Sequence, residues 1–334
     1  MHRVARSLLA IVFILTTAWG TAALWFQLTP ALTVGIGVPW VLLGGAAAFS
    51  LLRAPGRPHG AAIVVAALVA LVALLLWWQS LAPSHVRPWA DDVARLLESS
   101  IEGDRLVLRN VRNFDWRTET DYTPRWETRD YDLSKLESAD LVMSYWMGPH
   151  IAHTLVSFGF SDGKRLVFSL EIRKEKTESF SAVGGFFRRF EQVIVAADER
   201  DIIRTRTNAR GEQVYLYRLR ATPDKLRSVL IEYLRRAEAL RQQPEFYNTL
   251  TSNCTTILFE LARHIDPNLP LDYRLLASGH FGEYAYDHHA LTPGVPYAEL
   301  QRRGHINERA LKSDADPASF SRAIRVGLPG VPQN

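Results

Sequence analysis

The chain reads as an α+β protein in which three membrane helices precede a domain built on a central antiparallel sheet with a helix packed against it. Three observations predict this. The first 81 residues hold three long apolar runs. Two strand-like runs flank a short Asp-Gly turn, "IAHTLVSFGF-SDG-KRLVFSLEIR" from Ile151 to Arg173, a strong hairpin signal. After Thr222 the patterning turns helical, with Pro223 at a first helical position.

The runs are Ser7 to Leu28, Leu32 to Leu52 and Ala61 to Ala82, each 21 or 22 residues long. About 20 residues are needed to cross a ~30 Å hydrocarbon core. Trp25, Trp77 and Trp78 fall near run ends, where indoles favour the interface. The second run is the weakest, interrupted by Pro39 and four glycines.

Charge orients the spans. Residues 1–81 carry four arginines (Arg3, Arg6, Arg53, Arg57), no lysine and no acid. Removing those four from the 39 bases leaves 35 against 35 acids, so the remainder is neutral. The formal charge of +4 therefore gives no support to nucleic-acid binding. By the positive-inside rule the N-terminus and the "RAPGRPHG" loop are cytoplasmic, and the third span delivers the large domain to the outer face. This reading places the large domain in the periplasm or outside the cell. The first run could also be a cleaved signal peptide, which leaves the same final topology.

The boundaries read as 1–82 for the membrane domain, 83–109 for a linker and lead-in, 110–290 for the main periplasmic domain, and 291–334 for a partly disordered C-terminal extension. Within these, "WADDVARLLESS" (Trp89 to Ser100) suggests a short amphipathic helix. Arg105 to Phe114, Leu141 to Trp146, Gln192 to Ala196 and Gln213 to Arg220 suggest strands. Helices are expected from Pro223 to about Gln243 and from a cap at Thr251, Ser252 or Asn253 to before Asp266-Pro267.

Cys254 is the single cysteine, at the predicted start of the second of these helices. Outside the cytoplasm a lone thiol has no disulfide partner. A helix N-terminus lowers a thiol pKa and offers N–H groups to an oxyanion, although a free cysteine is commonly just a small core residue. A base is available in His153. If the turn spans three residues, strand partners sum to 324 and Glu171 faces His153. A two-residue turn pairs His153 with Ile172 instead, so the arrangement rests on one residue of register. In the first register Glu171 orients the imidazole and His153 deprotonates Cys254.

Three blocks, "HTLVSFGFSDGKRLVFSLEIRKE", "ADERDIIRTRTN" and "FYNTLTSNCTT", in that order, resemble the Lnb N-terminal periplasmic domain family over roughly Asn110 to Asp287. The resemblance implies a thiol enzyme of the permuted NlpC/P60 and papain-like group, with the histidine strand preceding the cysteine helix. It also implies N-acylation of lipoproteins with an acyl chain taken from phospholipid. By position, Cys254 would be the nucleophile, His153 the base and Glu171 the orienting acid. Asn253, Arg173 and Tyr247, in the same blocks, are the candidate substrate-binding residues. In the founding enzyme the membrane helices follow the periplasmic domain, whereas here three spans precede it.

No cofactor is expected. His150 and His153 fall on opposite strand faces, and His280, His288 and His289 lack carboxylates at ligand spacing, so no metal site is expected. Nucleotide, dinucleotide and serine-hydrolase motifs are absent. "AVGGFFRRFE" (Ala182 to Glu191) is either a loop packed on the sheet or a membrane-facing lip. "DERD" (Asp198 to Asp201), with Arg204 and Arg206, is either a salt-bridged framework or a substrate contact. The expected activity is a membrane-anchored, thiol-dependent acyltransferase acting on phospholipid or lipoprotein. The alternatives are a cysteine hydrolase of the cell envelope and a non-catalytic envelope module.

Overall fold

The computed structural model describes residues 2–53, 59–314 and 316–332. Arg57 and most of the "RAPGRPHG" loop lie outside the described residues. The chain divides into two compact units. One comprises Met1–His85 with Ser181–Phe190 and Phe246–Asn248, and the other comprises Val86–Phe180, Glu191–Glu245 and Thr249–Asn334.

In the first unit, α1 (His2–Gln27), α2 (Pro30–Leu52) and α3 (Gly60–Ser80) are each long and apolar enough to cross a membrane. The glycines of α2 do not break it. At Gly44 a side chain would collide with Thr17 of α1, and at Gly20 one would collide with Leu74 and Trp40. Such small residues let span backbones approach closely where lipid supplies no hydrophobic drive. The Trp40 indole donates to the Thr17 carbonyl at 2.9 Å.

The second unit is a sheet with helices on both faces. Its strands are β1 (Glu98–Glu102), β2 (Arg105–Arg112), β3 (Asp115–Trp116), β4 (Tyr122–Thr123), β5 (Trp126–Asp132), β6 (Leu136–Tyr145), β7 (Ala152–Phe160), β8 (Arg165–Arg173), β9 (Glu191–Ala197) and β10 (Gln213–Arg218). The main sheet runs β1-β2-β9-β8-β7-β6-β10, with β5 also on β2, while β3 and β4 form a separate ribbon. The sheet is mixed, because β2 and β9 meet in parallel at Arg112 and Ala197.

The stretch from Trp89 to Ser100 is not the amphipathic helix its sequence suggests. It makes one short turn at Asp91–Val93 and then enters β1. Trp89 bridges to Glu175 and the Ala90 N–H bonds to the Lys174 carbonyl, so sheet pairing overrides a weak local helical pattern. The span 83–109, read as a linker, thus supplies β1 and most of β2.

One sheet face is covered by α5 (Pro223–Gln242) and α6 (Cys254–Ile265). Leu230, Tyr233, Ile257 and Leu261 pack there with Phe158, Phe168 and Leu170, and Phe168 stacks on Tyr233 at 5.0 Å. The other face carries α4 (Glu199–Arg204), α7 (Asn307–Lys312) and α8 (Phe320–Ala323), packing on Leu155, Val167, Val193 and Val195. The extension expected to be partly disordered is folded across its described residues. Leu328 is buried, and Arg325 holds Asp140 and Glu199 at 2.7 and 2.5 Å.

The β7–β8 hairpin has the three-residue connection Ser161–Gly163. Gly163 sits at φ +85° and its N–H bonds back to the Phe160 carbonyl, a conformation that favours glycine. Leu155 pairs with Ser169 and Gly159 with Arg165, so partners sum to 324. Of the two registers the sequence leaves open, this is the one that puts Glu171 across from His153.

Candidate active site

His153 and Glu171 lie on the sheet face that carries Leu155 and Val167, since alternate strand residues share a face. Nε2 of His153 is 3.2 Å from Glu171 Oε1 and 2.7 Å from Ser169 Oγ, which itself donates to Glu171 Oε1 at 2.8 Å. With that hydroxyl proton directed at Glu171, Ser169 accepts from an Nε2–H. This arrangement favours the tautomer whose free nitrogen is Nδ1.

Cys254 is the first residue of α6 and is half-buried. Burial pushes its thiol up. The charge of His153 and hydrogen bonds with His153 and with the backbone and hydroxyl of Thr154 outweigh burial and bring the thiol down to about 6. His153 moves the other way. Burial lowers it, but Glu171 and the Cys254 thiolate hold it up at about 9 against the opposing charge of Arg206. Glu171 is itself held well below the usual carboxylate range: burial opposes ionisation, while His153 and Arg206 favour it. The two shifts support each other, and both favour the thiolate–imidazolium form, the reactive form of a cysteine nucleophile.

The sequence reading did not single out Arg206 for this site. It lies in the π-turn Thr205–Ala209 that continues α4, a backbone feature common at functional sites. It is buried and donates to Glu171 Oε1 at 3.0 Å and to Glu212 Oε2 at 3.2 Å. Glu212 in turn accepts from Ser144, which pairs with His153 across β6 and β7. One unbroken polar chain thus runs from His153 through Glu171 and Arg206 to Glu212. Ser169 was legible by period alone, two residues before Glu171 on the same strand face. By sequence, Arg206 reads, with Asp198–Asp201 and Arg204, as either framework or substrate contact, and not as a partner of Glu171.

The rest of that block is framework. Asp201 accepts from Arg112 at 2.9 and 3.1 Å, from the Trp116 indole at 2.8 Å and from the Phe114 N–H at 2.9 Å. Asp198 pairs with Arg129, and Glu199 with Arg325. Burying a polar group costs free energy unless donors of this kind satisfy it.

The residues read as substrate-binding are placed as follows. The side chain of Asn253 accepts from the Thr255 and Thr256 N–H groups at 2.9 and 3.0 Å, forming a capping box with Thr256. Those two N–H groups, expected to face an oxyanion, are therefore engaged. Arg173 is buried, donates to the Val93 and Ala94 carbonyls and lies over the Trp89 ring. Tyr247 belongs to the short segment that groups with the membrane helices, where its N–H bonds to the Phe190 carbonyl. His150 sits 2.8 Å from His280 and contributes nothing to the His153 cluster. Among the described residues, no group of three His, Cys, Asp or Glu is arranged to hold a metal ion.

Together with a family match, the three apolar helices support a membrane-anchored envelope protein with a periplasmic mixed α/β domain. Residues 122–279, just under half of the chain, match the model of the family described as the Lnb N-terminal periplasmic domain, so the chain resembles that family over this segment. The matched segment contains His153, Glu171, Arg206 and Cys254. No curated protein and no solved structure matches the chain.

Proposed function

We propose that this protein is a membrane-anchored, thiol-dependent acyltransferase of the papain-like, permuted NlpC/P60 type, working at the outer face of a bacterial inner membrane with its N-terminus in the cytoplasm. Cys254 is the nucleophile, His153 the general acid and base, and Glu171 the orienting carboxylate. The observation that carries this reading is the His153–Glu171–Arg206 cluster in a chain whose single cysteine opens α6, where the charge of His153 draws its thiol down. A buried cysteine serving only as packing has no need of such a partner.

The Cys254 thiolate attacks the carbonyl of a phospholipid ester, forming an S–C bond and a tetrahedral oxyanion. With the Thr255 and Thr256 N–H groups committed to Asn253, the N–H of Cys254 is the helix donor left for that oxyanion. Collapse breaks the ester C–O bond, and the His153 imidazolium protonates the departing alcohol, leaving a thioester. A lipoprotein amine then attacks. His153 takes its proton, the amide forms and the thiolate leaves. Water in place of the amine would give the hydrolase outcome with the same residues. Three spans in the same chain suit a lipid donor and a lipid-anchored acceptor, because tethering raises their local concentration.

Intact mass spectrometry after incubation with phospholipid vesicles tests this. A hydroxylamine-labile acyl adduct is expected on the full chain and absent from Cys254→Ala. Its transfer to an added lipopeptide amine selects the transferase over the hydrolase. Absence of any adduct, together with full cellular function of Cys254→Ser, overturns both catalytic readings.

A further inference from the structure

The loop Ser181–Phe190 is inserted between β8 and β9, yet it groups with the membrane helices. It holds the ends of two spans. Phe187 stacks on Phe26 of α1 at 5.3 Å and meets Trp78 of α3 edge-on at 6.4 Å. Arg188 donates to the Trp78 carbonyl at 2.6 Å and lies over the Trp78 ring, and Arg189 donates to the Phe26 carbonyl at 3.1 Å. From the other direction, the Gln27 amide donates to the carbonyls of Phe187 and Arg188 at 2.7 and 2.9 Å. Arg188 holds this position with a left-handed backbone, φ +52°, a conformation a non-glycine residue keeps only where the surrounding structure imposes it.

Arginines capping the last-turn carbonyls of two spans, set among tryptophan and phenylalanine rings, are the composition of a membrane–water interface. The same loop leaves two apolar side chains uncovered. Val183 is 56% exposed and Phe186 is 41% exposed. Between them, Gly184 and Gly185 open a short turn, so both can lie on one lip.

We infer that Ser181–Phe190 is an interfacial lip whose Val183 and Phe186 insert into the outer lipid leaflet. The occupant of this face is lipid, because the loop is continuous with the spans and its polar groups face their ends. The lip begins eight residues after Arg173, and the other segment of this unit, Phe246–Asn248, ends six residues before Cys254. Both chain segments that bear the proposed machinery are therefore tied, in sequence, to parts of the membrane unit. The inference does not depend on catalysis, and its test leaves the proposed reaction unexamined.

The full chain carrying Cys254→Ser has no other cysteine, so Phe186→Cys or Val183→Cys can be spin-labelled at one site and reconstituted into phosphatidylethanolamine–phosphatidylglycerol vesicles. Collisional accessibility to oxygen and to a water-soluble nickel chelate is then read. A label about 5–10 Å below the headgroups is expected to favour oxygen over nickel several-fold more than one introduced by Leu271→Cys, a site 80% exposed in the sheet unit. Equal ratios at the lip and at 271 overturn the inference. So does a label shielded from both reagents, which would mark a protein contact instead.

Discussion

Arg206 Nη2 and His153 Nε2 converge on one carboxylate oxygen, Glu171 Oε1, at 3.0 and 3.2 Å. The guanidinium keeps Glu171 charged, and the charged Glu171 keeps His153 protonated. His153 is then the cation beside Cys254. Each ionisation state in the relay rests on the one before it.

The first prediction concerns thiol titration. Because Cys254 is held down at about 6, its iodoacetamide alkylation rate should rise with a midpoint near 6, against about 8.5 for an ordinary thiol. Raising pH toward 9, where His153 loses its proton, removes the imidazolium. Glu171→Gln should move the thiol midpoint up and lower acyl transfer at pH 7 on the order of 10²-fold or more. An unchanged midpoint in Glu171→Gln would refute the relay.

Arg206→Gln removes the buried guanidinium that Glu171 and Glu212 share, leaving Glu171 to His153 and Ser169 and Glu212 to Ser144 and Arg210. Losing one member of a buried ion pair costs about 3–5 kcal/mol, so the midpoint of chemical denaturation should fall strongly. Arg206→Lys should recover part of that stability but not the two-way geometry, and so should leave the alkylation midpoint displaced.

Arg325 ties the C-terminal segment to the sheet. Burial opposes ionisation of Glu199, yet the Arg325 charge holds it at about 2. A depressed carboxylate contributes stability that is complete above its unfolded value, near 4.3, and lost as pH falls toward 2, worth about 3 kcal/mol in this case. Glu199→Gln should therefore flatten the stability–pH curve between about pH 4 and 2. An unaltered slope would show that other carboxylates control acid unfolding.

Asn253 caps α6 through two N–H groups. Asn253→Ala should destabilise by about 1 kcal/mol and fray the turn that carries Cys254, whereas Asn253→Asp should retain the cap. If Asn253 contacts substrate instead, Asn253→Ala will raise KM with no loss of thermal stability.

Much of the architecture was readable because the signals were strong and local. Uncharged runs of bilayer length announced the spans, Asp-Gly between two apolar alternations announced the hairpin, and Thr222-Pro223 announced α5. Weaker local signals failed where pairing partners lay far away. The amphipathic spacing of Trp89 to Ser100 gave way to β1, whose partner is β2, and the polar tail after Gln301 gave no hint that Arg325 would be needed to neutralise Asp140 and Glu199.

By itself the sequence determined which residues could carry chemistry and on which side of a membrane they should lie, because charge distribution and hydrophobic length are properties of the chain. It could not choose between Glu171 and Ile172 opposite His153, since a shift of one residue reverses the strand face. The tertiary structure decided that register through the three-residue turn at Gly163. It also brought Arg206, 35 positions from Glu171, to the carboxylate it supports. Long-range ion pairs of this kind have no local sequence pattern, because burial selects them only after the sheet and its covering helices have assembled.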